Sequence, residues 1–229
     1  MDFLSSHLLS VILFFPVFAA IVIGFLPKDE DKLVRWTALI ASLVPFVLTL
    51  VLWSNFDATA SSTYQFEENY IWYEAINSNF HIGVDGISLS MVLLTTLLTP
   101  LAILASFSVK EKVKAYMMLF LFLEMGMLGV FLSMDLLIFF VFWEIGLVPM
   151  YFLINQWGSS NRNYASLKFM IYTVGGSLGL LLAIQLLGVL FGTYDLAAIT
   201  QGWNALSDSA IVMGMQVSTI RQSPSGLLS

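Results

Sequence analysis

Six apolar runs dominate this 229-residue chain, each about as long as the ~20 residues a helix needs to cross ~30 Å of hydrocarbon. They are Leu8–Leu26, Val34–Trp53, Ile87–Phe107, Ala115–Ser133, Leu136–Asn155 and Tyr164–Leu190. The spacing predicts an all-α polytopic membrane protein of about six transmembrane helices. Composition agrees: 59% of residues are hydrophobic and only 10% charged, against about 45–50% and 25% in soluble domains. A soluble enzyme, a secreted binding domain and a disordered regulator are all poor fits.

The first run is expected to stay as an anchor. It has no Lys or Arg before it, it exceeds a signal peptide's apolar core, and no A-x-A site follows before Pro27. Basic residues then set the orientation. Lys28, Lys32 and Arg35 lie between runs one and two, Lys110, Lys112 and Lys114 between three and four, and Arg162 and Lys168 around the start of six. The opposite linkers, Ser54–Asp85 and Ser133–Asp135, contain none. By the positive-inside rule the N-terminus faces out. Most acids fall outside, among them Asp57, Glu67, Glu68, Glu74, Asp85, Asp135 and Asp195.

Residues 1–203 therefore form a transmembrane six-helix region with a long outer loop, 54–85. Its spaced aromatics Tyr64, Phe66, Tyr70, Trp72 and Tyr73 predict an interfacial belt, as an amphipathic hairpin on the membrane surface. Residues 204–229 read as a polar, frayed tail.

Several chemistries are excluded. The chain has no cysteine, so disulfides, iron–sulfur clusters, thiolate zinc sites and covalently attached haem are out. His7 and His81 lie outside or at the edge of the runs and cannot clamp a haem within a span. No glycine-rich nucleotide loop occurs, and a net charge of −6 argues against nucleic acid. The chain is expected to carry no metal and no redox centre.

Two carboxylates remain inside the spans, Glu124 and Glu144. A charge at mid-bilayer costs about 2.5–3.5 kcal/mol by insertion scales, so such residues mark function. Each lies ten residues from a turn centred near Met134, about 15 Å along its helix, so an antiparallel pair places them at similar depth near the midplane. Two such groups can hold a proton and release it when a cation approaches, as a proton relay does. Helix–helix hydrogen bonding is the plainer alternative for both. Gly146 and Pro149 follow Glu144; the proline frees a carbonyl near Ile145, and a hydrated kink there would give protons access. Lys168, one turn inside its span, either snorkels or couples to Glu144. Asp135 reads as a helix cap, and Gly175, Gly176, Ser177 and Gly179 as a small-residue packing face.

The run GVFLSMDLLIFFVFWEIGLVPMYFLINQWG, Gly129–Gly158, resembles the signature of the antiporter-like membrane subunits of respiratory complex I (NADH:quinone oxidoreductase). Pro-Met-Tyr after the glutamate is most similar to the subunit M, or chain 4, branch. FHIGVDGISLSMVLLT (Phe80–Thr95) and YASLKFMIYTVGGSLGLLLA (Tyr164–Ala183) resemble that family's third and sixth helices. The resemblance implies the first part of a fold of some fourteen helices, in an energy-transducing membrane such as the bacterial plasma membrane. It implies proton translocation coupled to quinone reduction, with Glu144, Glu124 and Lys168 matching the family's relay positions. NADH, FMN, iron–sulfur clusters and quinone are then expected in partner subunits, and the partners are other membrane-arm subunits and the bilayer. Members are about twice this length, so a truncated chain lacking the seventh-helix lysine is the expectation. A cation/proton antiporter subunit and a non-pumping membrane fragment are the alternatives.

Overall fold

The computed structural model describes residues 7–27, 30–57, 64–206, 211–212 and 215–216. Most of the predicted tail, together with Lys28, Asp29 and the first six residues, lies outside the described residues. Six helices are long and apolar enough to cross a membrane. They are α1 (Leu8–Phe25), α2 (Asp31–Asn55), α3 (Gly86–Ala105, extended by a 3-10 turn Ser106–Ser108), α4 (Val113–Leu132), α5 (Leu136–Trp157) and α6 (Arg162–Phe191). These match the six apolar runs. A short helix α7 (Leu196–Ala205) follows and reaches two residues into the expected polar tail, 204–229. Its N-cap is Asp195, whose side chain accepts from the Ala198 amide.

The long outer loop is a β-hairpin. Strand β1 (Gln65–Tyr73) pairs antiparallel with β2 (Ser78–Val84), turning through Asn77 in the left-handed region at φ 57°. A second, two-residue pairing joins β3 (Ile211–Val212) and β4 (Met215–Gln216). The first hairpin lies over the outer helix ends. The Met134 amide donates to His81 O, and Ile82 bridges Ser133. Phe66 and Phe80 pack on the core, whereas Tyr70, Ile71, Trp72 and Tyr73 stay exposed, the position expected of belt aromatics.

Carboxylates fasten this hairpin to the outer helix N-termini. Asp135 Oδ1 accepts from the Leu137 and Ile138 amides, capping α5, and both its oxygens hold β2 through Ser78 Oγ and the Asn79 amide. Glu68, buried on β1, accepts from Ser10 N and Oγ in the first turn of α1. Asp195 caps α7 with one oxygen and meets His81 with the other. At the inner end the arrangement inverts. Lys114 Nζ donates to Gly24 O and Leu26 O at the end of α1, and Arg35 Nη2 to Val109 O just after α3. Charge placement follows helix polarity at these contacts: acids bond N-terminal amides outside, and Lys114 and Arg35 reach carbonyls at the ends of α1 and α3 inside.

Helices α1–α4 form the packed part of the bundle, and α5 and α6 extend from α4. Two apolar clusters fill it. The outer one contains Leu9, Leu13, Leu52, Val92, Leu128 and Phe142; the inner one contains Ala20, Ile23, Ala38, Ile103, Met117 and Leu121. Between helices in lipid the hydrophobic effect adds little, so cohesion rests on close packing and satisfied polar groups.

Candidate functional site

The two clusters are separated by a different kind of layer. The buried residues lying between them are Pro16 on α1, Ser42, Pro45 and Thr49 on α2, Thr95, Thr96, Thr99 and Pro100 on α3, and Glu124 on α4. Each helix therefore contributes prolines, hydroxyls or a carboxyl at mid-depth. Each proline lacks an amide hydrogen, which leaves the carbonyls of Ile12, Ala41 and Thr96 without their helix donors. Thr49, Thr96 and Thr99 donate to the carbonyls one turn back, at 2.8–2.9 Å. Glu124 is fully buried, and neither carboxylate oxygen has a hydrogen-bond partner among the described residues.

Glu144 belongs to a separate compartment. Helices α4 and α5 meet at glycines: a Cβ on Gly126 would lie 2.9 Å from Gly146 Cα, and one on Gly129 would enter the Phe142 ring. At about 100° per residue, Glu124 is roughly 140–200° from the Gly126–Gly129 face, and Glu144 about 200° from both Phe142 and Gly146. The two carboxyls thus point away from the α4–α5 contact in opposite directions. The same contacts set the register, and Glu124 and Glu144 differ in depth by about 5 Å, one helical turn. They are near in depth, as expected, but do not face each other. Glu144 is half-buried, its Oε1 is buried without a hydrogen-bond partner among the described residues, and Pro149, one turn on, is buried as well.

Lys168 is exposed, with Nζ 5.7 Å and 5.8 Å from the ring centroids of Tyr164 and Tyr172. The buried residues of α6 are Ser166, Ser177, Ile184 and Gly188, of which Ser166 and Ser177 bond Asn155 and Trp143 of α5. Lys168 lies about 200° round from Ser166, so the structure does not bring it to Glu144. The 30 residues of α6 extend about 45 Å, and Lys168 is near the inner interface, where a lysine snorkels. Trp143 Nε1 donates to Ser177 Oγ at 3.3 Å, but nothing described lies within 4 Å of a Cβ placed on Gly175, Gly176 or Gly179. The predicted small-residue face is open because α6 packs on one side only.

The hydroxyls of this layer lie outside the site expected from the sequence. Their signal was present: Pro45 has Ser42 and Thr49 within one turn, and Pro100 has Thr95, Thr96 and Thr99.

Residues 10–135 match the family described as NADH-ubiquinone oxidoreductase chain 4, amino terminus. Residues 133–222 match NADH:quinone oxidoreductase/Mrp antiporter, TM. NADH-quinone oxidoreductase subunit M of Rhodobacter capsulatus is 40% identical over 198 residues, covering 85% of this chain and 38% of the relative. NADH-ubiquinone oxidoreductase chain 4 of Arabidopsis thaliana is 43% identical over 190 residues, covering 82% and 38%. In fold, the chain resembles one from respiratory complex I of Thermus thermophilus with bound NADH, at a TM-score of 0.73 and 24% identity over 84% of this chain and 39% of that one. It also resembles a chain of the Mrp complex from Dietzia sp. DQ12-45-1b, at a TM-score of 0.71 and 21% identity over 86% and 21%. The chain spans about two fifths of the length of the sequence relatives. The family that Gly129–Gly158 resembled is the one found: this integral, multi-pass membrane chain belongs to the NADH-ubiquinone oxidoreductase chain 4 (subunit M) family.

Proposed function

We propose that the chain is the amino-terminal part of a proton-translocating membrane subunit of an NADH:quinone oxidoreductase, with Glu124 and Glu144 as proton-carrying groups. One observation carries this reading: Glu124 is fully buried with both oxygens unpartnered, inside a mid-membrane layer of prolines and hydroxyls. An unpaired charge at that depth costs several kcal/mol, and a group used only to join helices would have a partner. The freed proline carbonyls and the threonine hydroxyls supply sites for water, which a proton path needs. Glu144, on the far face of α5, is open to a cationic partner arriving from beyond that helix. Lys168 is reached from outside α6, and its role is to hold positive charge at the inner mouth.

Family membership supports the remaining parts. NADH, FMN, iron–sulfur clusters and quinone belong to partner subunits, and the membrane-arm subunits are the direct partners, in an energy-transducing membrane. The test uses the complete subunit in the assembled enzyme, in inverted membrane vesicles. Glu124→Gln and Glu144→Gln are each expected to leave NADH oxidation by an artificial acceptor unchanged while the proton gradient falls at least tenfold. A wild-type proton-to-electron ratio in both variants refutes the assignment.

A further inference from the structure

The inner end of the protein holds a cavity of about 200 Å³ between the α3–α4 linker and the α5–α6 turn. Its walls are Glu111, Lys112, Asn155, Trp157, Arg162 and Asn163, with Gln156 at its side. The cavities between helices deeper in the membrane are walled mostly by apolar side chains, with Thr95 and Thr99 in one and Thr37 in another. This one is polar and lies where the chain meets water.

Its two cations have donors to spare. Lys112 Nζ donates to Gln156 Oε1 at 3.0 Å, and two of its three hydrogens remain. Arg162 Nη1 donates to Gln156 O at 2.6 Å, and four guanidinium hydrogens remain. The ion pairs found among the described residues involve neither side chain. Glu111 lines the same cavity and offsets one positive charge, but it contacts the wall through its backbone carbonyl, which accepts from Trp157 Nε1 at 2.8 Å. Lys112 itself stands in the left-handed region at φ 48°, a conformation disfavoured for any residue with a Cβ and commonest where function requires it. Trp157 meets Tyr116 edge-on at 5.0 Å, and such aromatic pairs sit at headgroup level.

We propose that this cavity binds a phosphate group, with Lys112 and Arg162 donating to its oxygens and Asn163 Nδ2 as a third donor. An anionic phospholipid of the inner leaflet supplies the phosphate. The cavity opens at the headgroup level of the basic face, and basic pockets between helices on that side hold anionic headgroups. Arg162 begins α6, and Lys112 is the N-cap residue of α4, so an occupied cavity ties two helix starts to the membrane surface.

The test is native mass spectrometry of the full chain from phosphatidylcholine nanodiscs with and without phosphatidylglycerol. The wild type is expected to retain phosphatidylglycerol over phosphatidylcholine, and the Lys112→Gln/Arg162→Gln double variant to lose that retention by about 10- to 30-fold. Glu111→Gln, which removes the opposing charge, is expected to tighten it by about fivefold. It keeps the proposal falsifiable if circular dichroism shows that the double variant has lost its helices. Lys32→Gln, on the same face and away from the cavity, is the control and leaves retention unchanged. Retention that ignores lipid charge, or that survives the double substitution intact, overturns the site, as does a Glu111→Gln variant no tighter than wild type. Displacement of the lipid by inorganic phosphate, with phosphate itself then bound, overturns the lipid as the source and assigns the cavity to the free anion.

Discussion

His81 Nδ1 lies 2.6 Å from Asp195 Oδ2, joining β2 to the N-cap of α7 across 114 residues of sequence. The same ring, only 8% exposed, presents Nε2 to Glu67 Oε2 at 3.1 Å. A carboxylate accepts hydrogen bonds, and a neutral imidazole has one N–H to donate. Both contacts are hydrogen bonds only when His81 is an imidazolium, facing Glu67 from β1 and Asp195 from the α6–α7 linker. Asp135 holds the same strand at Ser78 and Asn79, so the hairpin keeps one fastening that does not involve the ring.

The hold of the hairpin on α7 is therefore expected to depend on the His81 ring. His81→Leu removes both contacts and leaves the Asp135 fastening in place. A charge-assisted hydrogen bond contributes about 1.5–3 kcal/mol, so local opening should become about 10- to 100-fold more frequent. Hydrogen–deuterium exchange, corrected for intrinsic rates, reads this at the Leu196 amide, which donates to Met134 O, and at the hairpin. If wild type and His81→Leu exchange alike at these amides, the ring is not what closes this contact.

A pH effect appears at the alkaline end. Burial, and then the negative charges of Asp85, Asp195 and Glu67, hold the Tyr64 phenol above its ordinary value near 10. A raised folded-state value means that the folded protein keeps this proton longer than the unfolded chain. Its contribution is complete below the ordinary value and is lost as pH rises through the raised one. Tyrosinate absorbance titrated at alkaline pH should show a late component that disappears in Tyr64→Phe. Asp85→Asn should move that component towards lower pH. An unchanged midpoint in Asp85→Asn would show that the Asp85 charge does not contribute.

Gly126 and Gly146 make an asymmetric pair. A methyl on Gly126 meets the Gly146 backbone, with Cα at 2.9 Å and N at 3.1 Å, and backbone cannot rotate away. A methyl on Gly146 meets nothing within 4 Å. Gly126→Ala should cost about 1–3 kcal/mol, the usual range for overpacking, and Gly146→Ala well under 1 kcal/mol. Unfolding in mixed micelles measures both. Equal costs would mean that α4 and α5 separate easily.

Much of this was legible in the sequence, for physical reasons. A span must be long and apolar whatever it packs against, so all six helices were visible, as were the basic inner linkers. Asp135 as a cap was visible too, because it stands just before an apolar run. The hairpin was expected from its spaced aromatics, but its strand bounds and register were not legible, since Gln65–Tyr73 mixes Glu67, Glu68 and Asn69 with aromatics and lacks clean alternation. Glu124 and Glu144 were recognisable as costly residues, and counting from Met134 placed them at similar depth. Their opposite facing depends on the Gly126–Gly146 contact, which only the packed helices reveal. The mid-membrane layer is likewise a property of four helices together: Pro16, Pro45 and Pro100 each look ordinary alone.

Glu124 offers the sharpest separation of stability from function. Its carboxyl is buried without a hydrogen-bond partner among the described residues, so it contributes no such bond to holding α4 in the bundle. Replacing a buried, unsatisfied polar group by an apolar one of similar size is neutral or stabilising, by up to about 1–3 kcal/mol. Glu124→Leu should therefore melt at or above the wild-type temperature in detergent. In the complete, assembled enzyme the same change should abolish proton translocation, because leucine can carry no proton through the layer between the two apolar clusters. Glu124→Asp keeps the acid and shortens its reach, and should retain part of the activity. A destabilised Glu124→Leu would reveal that the carboxyl bonds to the freed carbonyls of Ala41 or Thr96 through water, and would make it a structural link between helices.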